Sequence, residues 1–362
     1  GFLCLLILVG LHQSLLAKVP IDPDDIDDTE EQIISKPQVQ ESTEKRTEAL
    51  TLLKNRILYA ASTERRNAIR DLRRFTKEEQ AKFYPDLSTI VKTDKDIAVR
   101  EAALRYLAEE GADTTEAKEA YRAGLDDAER NVKIEALKGI RKIEMKEAAP
   151  FLEKLISESE LTENDSVIHA AIRTLGGLKY ESTELTERFM KAIDDSATEA
   201  ETKRSIVLYA GSVKSVSMKA KILELVEDQN QDITIRSYAA NTLGKTAAID
   251  GGTASSADRE QFKKSLNQVL EEIREIRDGR GRARMNPLKQ QSILALIRMG
   301  DDSVSGELQN AAQDDDAGTR LRAIRYIGEL KLKQFKELVE FKSKHDDSPK
   351  VRKEAERVLK DL

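Results

Sequence analysis

A recurring order of apolar and polar positions runs through most of the chain and predicts one kind of helix. Each copy has a β-branched residue, usually followed by Arg or Lys, then Ala four positions after the start and Leu or Ile eight after it. The clearest copies begin at Val99 and Ile235. Residues four apart advance only about 40° around a helix, so these positions form one apolar stripe. Each copy therefore predicts an amphipathic helix, whose central Ala lets another helix approach closely.

The copies return at a nearly constant spacing. They start at positions 64, 99, 132, 167, 202, 235, 288, 319 and 351, so the intervals are 31 to 35 residues, with one exception of 53. A second amphipathic stretch precedes each copy, for example 117–125, 185–193 and 335–341, and acidic turns such as Asp126-Asp127 lie between the two. Aspartate there can cap the following helix. A helix pair this small cannot enclose its own apolar face, so pairs must stack. We predict an all-α protein, a right-handed α-solenoid superhelix of about nine stacked helix pairs.

The second helix of each predicted pair carries a recognisable motif, Asp-x-x-Val-Arg-x-x-Ala-x-x-x-Leu-Gly in its fullest form. This motif resembles HEAT repeats, especially the short type found in phycobilisome-lyase-like proteins, and the resemblance covers residues 43–362. It implies that the Asp and Arg form a structural ladder between neighbouring repeats. The residues of that ladder here would be Asp96, Arg100, Asp232, Arg236, Asp316, Arg320 and Arg352.

The one long interval predicts an insertion at residues 246–286. It contains a Gly/Ser/Ala-rich segment from Gly251 to Ser256, a long helix over 259–277, and the basic run Asp278-Gly-Arg-Gly-Arg-Ala-Arg284. Insertions within solenoids often lie on a binding face, so we expect this region to depart from a pure scaffold.

The first 42 residues differ from the rest. Every residue from Phe2 to Val9 is apolar, but the apolar stretch is shorter than the roughly 20 residues that a membrane-spanning helix needs. We predict an export signal at 1–17, cleaved near Ala17, and a secreted or periplasmic protein. An uncleaved membrane anchor is the alternative. Residues 18–42 are predicted to form a flexible acidic linker.

Composition and charge narrow the range of functions. The only cysteine is Cys4, which excludes zinc fingers, iron–sulfur clusters and disulfide scaffolds. The acidic excess between residues 18 and 48 accounts for the whole net charge of −6. The neutral remainder makes nucleic acid an unlikely partner. The three histidines, His12, His169 and His345, are widely separated, and motifs for nucleotide, metal or nucleophilic chemistry are missing. We therefore predict no catalytic residue, no metal and no cofactor.

One column of positions on the second helices suggests a binding surface. The position six residues after each start lies about 200° from the apolar stripe and is expected to face solvent, on the concave side of the solenoid. It holds Arg105, Lys138, Arg173, Leu208, Asn241, Leu294, Arg325 and Arg357. We hypothesise that its basic members, helped by Arg274, Arg277, Arg280, Arg282 and Arg284, bind an acidic protein segment, such as Asp22 to Glu31 of this chain. The alternative is a set of ordinary solvated helix faces.

These observations favour a non-catalytic protein-binding scaffold or adaptor of the cell envelope. A lyase-like or other enzyme of the HEAT-repeat class, and a structural subunit of an envelope assembly, are the alternatives. The sequence does not specify the partner or the oligomeric state.

Overall fold

The structure is a computed structural model that describes residues 43–362. Within this part of the chain the regular structure is helical, and no strand is formed. The α-helices, in chain order, are α1 (Thr43–Tyr59), α2 (Ser62–Asp71), α3 (Lys77–Ala81), α4 (Tyr84–Thr93), α5 (Ile97–Glu109), α6 (Thr115–Leu125), α7 (Arg130–Lys142), α8 (Ala149–Ser157), α9 (Ser166–Gly177), α10 (Thr183–Asp194), α11 (Ala200–Val213), α12 (Lys219–Glu227), α13 (Ile233–Thr246), α14 (Ser256–Glu275), α15 (Gly279–Arg284), α16 (Asn286–Arg298), α17 (Ser305–Ala312), α18 (Ala317–Glu329), α19 (Lys336–His345) and α20 (Pro349–Leu359).

The helices form antiparallel pairs that stack into a solenoid, which confirms the predicted fold class. The second helices of the pairs are α2, α5, α7, α9, α11, α13, α16, α18 and α20. Each packs on the next along the chain, except that α16 and α18 barely touch. The buried apolar side chains form one continuous cluster from Leu53 to Val358. Successive pairs thus share a single interior, because no pair could bury its apolar face alone.

The repeated motif builds this interior as its spacing predicts. Val99, Val132 and Ile235 at the first position are buried, and so are the alanines and the Leu or Ile residues that follow each of them at four and eight positions. Aspartates begin several of the second helices: Asp96 and Asp232 accept hydrogen bonds from backbone N–H groups in the first turns of α5 and α13. Such caps supply partners for amides that the helix itself leaves unpaired.

A small residue near the end of a second helix allows the next one to pack closely. A Cβ added at Gly244 in α13 would lie 2.6 Å from the Cα of Ala295 in α16, and one at Gly328 in α18 would lie 2.6 Å from a methyl of Val358 in α20. The equivalent position in α16 is Ile297, nine residues after the repeat start, and that in α7 is Arg141. Because α7 still packs on α9 whereas α16 barely touches α18, the size of this residue alone does not decide whether two repeats pack closely.

The predicted insertion is largely absorbed into the repeat array. Its long helix is α14, which Ser255 and Asp258 cap reciprocally at the N-terminus. Because α14 buries Phe262 and Leu266 and packs against α12 and α16, it serves as the first helix of the α14–α16 pair. The sequence beyond an ordinary repeat is therefore the loop 247–255 and the short helix α15.

No helix of residues 43–362 combines the length and apolar character that crossing a membrane requires. The predicted export signal at 1–17 and acidic linker at 18–42 lie outside the described residues.

Candidate functional site

The motif arginines connect each repeat to the turn of the next. Arg100 donates two hydrogen bonds to Asp127, at 2.7 and 2.9 Å, and Arg320 donates two to Asp346, at 2.8 and 2.9 Å. Paired bonds of this kind use the planar fork of the guanidinium, which fits a carboxylate. Asp127 and Asp346 also accept from the backbone N–H two residues on, so each carboxylate fixes a turn as well.

The aspartates of the motif have a different role from the one that the resemblance implies. Asp96, Asp232 and Asp316 cap the start of their own helices instead of pairing with an arginine of a neighbouring repeat. Arg100 and Arg320 instead meet the turn before the next second helix, at Asp127 and Asp346. The remaining two arginines vary: Arg236 contacts the Val226 carbonyl and Glu272 (3.2 Å), and Arg352, in the last helix, reaches only carbonyls of its own turn.

Of the two Arg–Asp ion pairs, the one between Arg320 and Asp346 is the more deeply buried. The Asp346 side chain is 1% exposed and also receives Lys342 at 3.1 Å. Burial alone would raise the pKa of Asp346, but Arg320, the Ser348 backbone N–H and Lys342 hold it at about 2. The carboxylate thus stays charged in the interior only because its donors surround it.

The basic residues of the predicted binding column are neutralised by neighbouring carboxylates. Arg105 contacts Glu101 and Glu135, and Lys138 also contacts Glu135 at 3.1 Å. Further along, the pairs are Arg173 with Glu201 at 3.3 Å, and Arg325 and Arg357 with Glu354 at 3.7 and 2.7 Å. These side chains form a charged but balanced surface, so an acidic partner would have to replace existing ion pairs there.

The middle of the column does not face solvent, so that part of the expectation is wrong. Leu208, Asn241 and Leu294 are buried, and Asn241 accepts a hydrogen bond of 2.9 Å from Arg298. The physical reason is the close stacking of α11, α13 and α16: a Cβ at Gly211 would lie 2.7 Å from the Thr242 hydroxyl. The periodicity of one helix does not show whether a neighbouring helix also covers the side opposite its apolar stripe.

The arginines around α15 differ from those of the column. Arg277, Arg280, Arg282 and Arg284, which we call the arginine patch, are all exposed. Arg282 donates to the Ile276 carbonyl at 2.7 Å. Within residues 43–362, no carboxylate forms an ion pair with any of the four. Asp278 accepts from the backbone N–H groups of Arg280 and Gly281 and so holds the short helix in place. The patch is a concentration of uncompensated positive charge.

A cleft lies between α16, α17 and α18, where the second helices fail to pack. Its walls are apolar, formed by Ile293 and Leu294 of α16, Leu308 of α17 and Ala323 of α18, and Gln290 and Arg322 stand at its polar side. Sequence reasoning missed this cleft. The repeat motif gives no clear signal for it, because Ile297 near the end of α16 is no bulkier than Arg141 at the same position of α7, which packs on its successor.

The histidines do not assemble a reactive site. His169 is buried, its Nε2 lies 2.8 Å from the Thr202 hydroxyl, and burial lowers the pKa of its imidazole. His345 is exposed at the end of α19, with its ring 5.0 Å from that of Phe341. In the described range no three His, Cys, Asp or Glu side chains come together in a way that could hold a metal ion.

Comparison with known proteins agrees with the repeat architecture. The family model of HEAT repeats matches residues 84–162, from α4 to just beyond α8. No curated protein sequence matches the chain. Among solved structures, the chain is similar to Kap95p, in work on how its binding induces the switch loops of RanGDP to adopt the GTP-bound conformation, with 16% identity, a TM-score of 0.44 and coverage of 86% of this chain.

It is also similar to Kap121p, with 10% identity, a TM-score of 0.40 and coverage of 88% of this chain. The chain spans 40% of the length of each of these two structures. We conclude that the protein is an α-solenoid in which residues 84–162 match HEAT repeats.

Proposed function

We propose that the protein is a non-catalytic scaffold that binds another protein, and that an acidic segment of the partner contacts the arginine patch. The observation that carries the proposal is the contrast in charge pairing. The basic residues of the column are already paired with carboxylates, whereas the four arginines around α15 are exposed and without one.

The chemistry of arginine supports an acidic ligand. A guanidinium offers several donors in a planar fork, and its hydrogen bonds to carboxylates are stronger than those between neutral groups. Binding at the column would first require its ion pairs to separate, but the arginine patch has no such pairs to lose. Among the basic residues that the sequence predicts to bind a partner, the absence of competing ion pairs favours one group over the other. The favoured residues are Arg280, Arg282 and Arg284, and the others are Arg105, Lys138, Arg173, Arg325 and Arg357.

The proposal is tested by charge reversal in the two regions. Binding of a fluorescein-labelled glutamate-rich peptide to the full chain is followed by anisotropy at low salt. We expect R280E with R284E to weaken binding at least tenfold, and the matched column variant R105E with R357E to change it less than twofold. Equal affinities for the patch variant and the unmodified chain, or a larger loss in the column variant, would contradict the proposal.

We also propose that the protein is exported and acts in the cell envelope or outside the cell. The support is the apolar run from Phe2 to Val9 and the change after Ala17, where Lys18 and Pro20 begin a polar region. Mass spectrometry of the chain purified from the cells that make it tests this: a mature chain that begins close to Lys18 is expected. An intact N-terminus on a chain recovered from the cytosol would contradict it.

A further inference from the structure

We infer that the cleft between α16 and α18 binds an aliphatic side chain of the partner segment whose carboxylates contact the arginine patch. This inference rests on the proposed function and adds a second requirement to it. The ligand would then be a short acidic segment that contains a leucine, isoleucine or valine, not merely a stretch of negative charge.

The shape of the cleft matches an aliphatic group. Apolar side chains of three helices line it, among them Ile293, Leu294, Leu308 and Ala323. Its volume of about 30 Å³ is about twice the minimum, roughly 10–15 Å³ on the same measure, that a cavity needs to hold one water molecule. The cleft therefore fits the methyl end of an aliphatic side chain, whereas an aromatic ring would need it to widen.

Two residues that line the cleft carry buried polar atoms without a hydrogen-bond partner. Gln290 Oε1 and Arg322 Nε have none within residues 43–362. Leaving such a group unpaired costs about 1–3 kcal/mol. Both atoms are closed to solvent, so an entering side chain meets the apolar walls of the cleft and not these groups.

The cleft and the arginine patch are neighbours along the chain. Arg284 ends α15, α16 begins at Asn286, and Gln290 lies one turn inside α16. Six residues span at most about 20 Å even when fully extended, so Arg284 and Gln290 lie within that distance of each other. A segment of about six residues can therefore place a carboxylate on the patch and an aliphatic side chain in the cleft.

The other charges at the cleft do not oppose an acidic ligand strongly. Glu307, the carboxylate on its rim, is paired with Lys289 at 2.8 Å and with Arg274 at 3.6 Å. Arg322 contributes a further positive charge, and its Nη2 donates to the Thr319 hydroxyl at 3.1 Å. The contact between Glu307 and Arg274 places this rim of the cleft near the start of the patch at Arg277, which is why we assign an acidic partner segment to this surface.

Two labelled synthetic peptides separate the two requirements. Both are rich in glutamate; one has a single central leucine, and the other has serine in its place. We expect the full chain to bind the leucine peptide at least fivefold more tightly. Equal affinity for the two peptides would overturn the cleft inference and leave the arginine patch intact, whereas failure to bind either peptide would overturn the proposed function itself.

A variant that fills the cleft provides the matched test. A311L, on the wall contributed by α17, should abolish the preference for leucine and leave the affinity for the serine peptide unchanged. If A311L lowers the thermal midpoint by more than a few degrees, the smaller substitution A311V replaces it and should reduce the preference for leucine in the same way. A preference for leucine that survives in the folded variant would overturn the inference.

The chain's own acidic residues are the remaining competitor. In a full-length variant with Asp24, Asp25, Asp27 and Asp28 changed to Asn, we expect both peptides to bind as they do to the unmodified chain. Clearly tighter binding in this variant would show that the occupant is the N-terminal segment and not a partner, and would overturn that part of the inference.

Discussion

Helix α16 meets its two neighbours in opposite ways. Towards α13 the two backbones approach so closely that a side chain at Gly244 would strike Ala295. Towards α18 the helices separate, a cleft opens, and buried polar atoms are left unpaired. The same helix thus forms a closed junction on one side and an open one on the other.

The charged contacts show the same difference. At the closed junction between α18 and α20, Arg320 donates two hydrogen bonds to the buried carboxylate of Asp346. At the open junction the equivalent residue is Lys289, which is 36% exposed and makes a single contact to Glu307. A lysine ammonium is a compact charge without the fork of a guanidinium, so it fixes orientation less. The charge at the motif position is therefore held less firmly where the cleft lies, although Arg298 of α16 still pairs with Glu329 of α18 across this junction.

Removing the arginine at the closed junction should have the largest effect. R320M leaves the Asp346 carboxylate buried without its main partner, and breaking a buried pair in this way costs about 3–5 kcal/mol. K289M at the open junction should cost less than about 1 kcal/mol, because exposed pairs contribute little. Denaturant unfolding of the two variants measures the contrast, and equal losses would show that the two junctions do not differ in this respect.

A large side chain introduced at the closed junction between α13 and α16 should also destabilise the protein. G244L forces a side chain into the backbone of Ala295 and should destabilise the protein by about 3 kcal/mol, the upper end of the range for overpacking. The control is G306L in α17, where an added Cβ meets no atom within 4 Å. That control should leave the unfolding midpoint nearly unchanged. A midpoint for G244L close to that of the unmodified chain would mean that α13 and α16 can separate as easily as α16 and α18.

Acid should weaken the closed junction in a defined pH range. The pKa of Asp346 is about 2 in the folded protein against an ordinary value of 3.8. Its stabilising contribution is therefore complete above pH 4 to 5 and is lost as the pH falls through 4 towards 2. The loss amounts to about 2 kcal/mol. The measurement compares unfolding midpoints of the unmodified chain and D346N from pH 6 to 2.5; their difference should shrink below pH 4, and parallel curves would contradict the assignment.

The smallest expected effect concerns an unpaired hydroxyl in α16. Ser292 is fully buried and its Oγ lacks a partner, whereas Ser237 of α13 donates to the Ile233 carbonyl at 2.6 Å. S292A removes an unsatisfied group and improves helix propensity, so it should stabilise the protein by about 1 kcal/mol. S237A should bring no gain, because it loses a bond. Thermal unfolding of the two variants measures the difference, and destabilisation by S292A would show that the Ser292 hydroxyl has a hydrogen-bond partner.

The repeat pattern predicted the interior well because each buried position follows from the local geometry of one helix. Val99, Ala103 and Leu107 lie on one stripe whatever the neighbouring repeats do, and the capping role of Asp96 depends only on the turn before α5. The same reasoning failed for Leu208, Asn241 and Leu294, because their burial depends on how closely a second helix approaches from the other side.

The candidate site shows the same limit. The sequence identified the arginines near α15 but grouped them with basic residues of the column, and only the positions of Glu101, Glu135, Glu201 and Glu354 separate the two sets. These acids lie three to thirty residues away from the bases that they neutralise. The pairs three or four residues apart follow from helix geometry, but no local pattern predicts the pairs of Arg105 with Glu135, Arg173 with Glu201 and Arg325 with Glu354, which join neighbouring repeats.

The order of apolar and polar residues by itself determined that this chain forms stacked helix pairs with one shared core, because stripe geometry and capping act within a few residues. Tertiary structure alone decided which charges remain uncompensated and where the stack opens between α16 and α18. Both depend on the approach of whole helices to one another, and that approach is set by side chains from different repeats meeting in space.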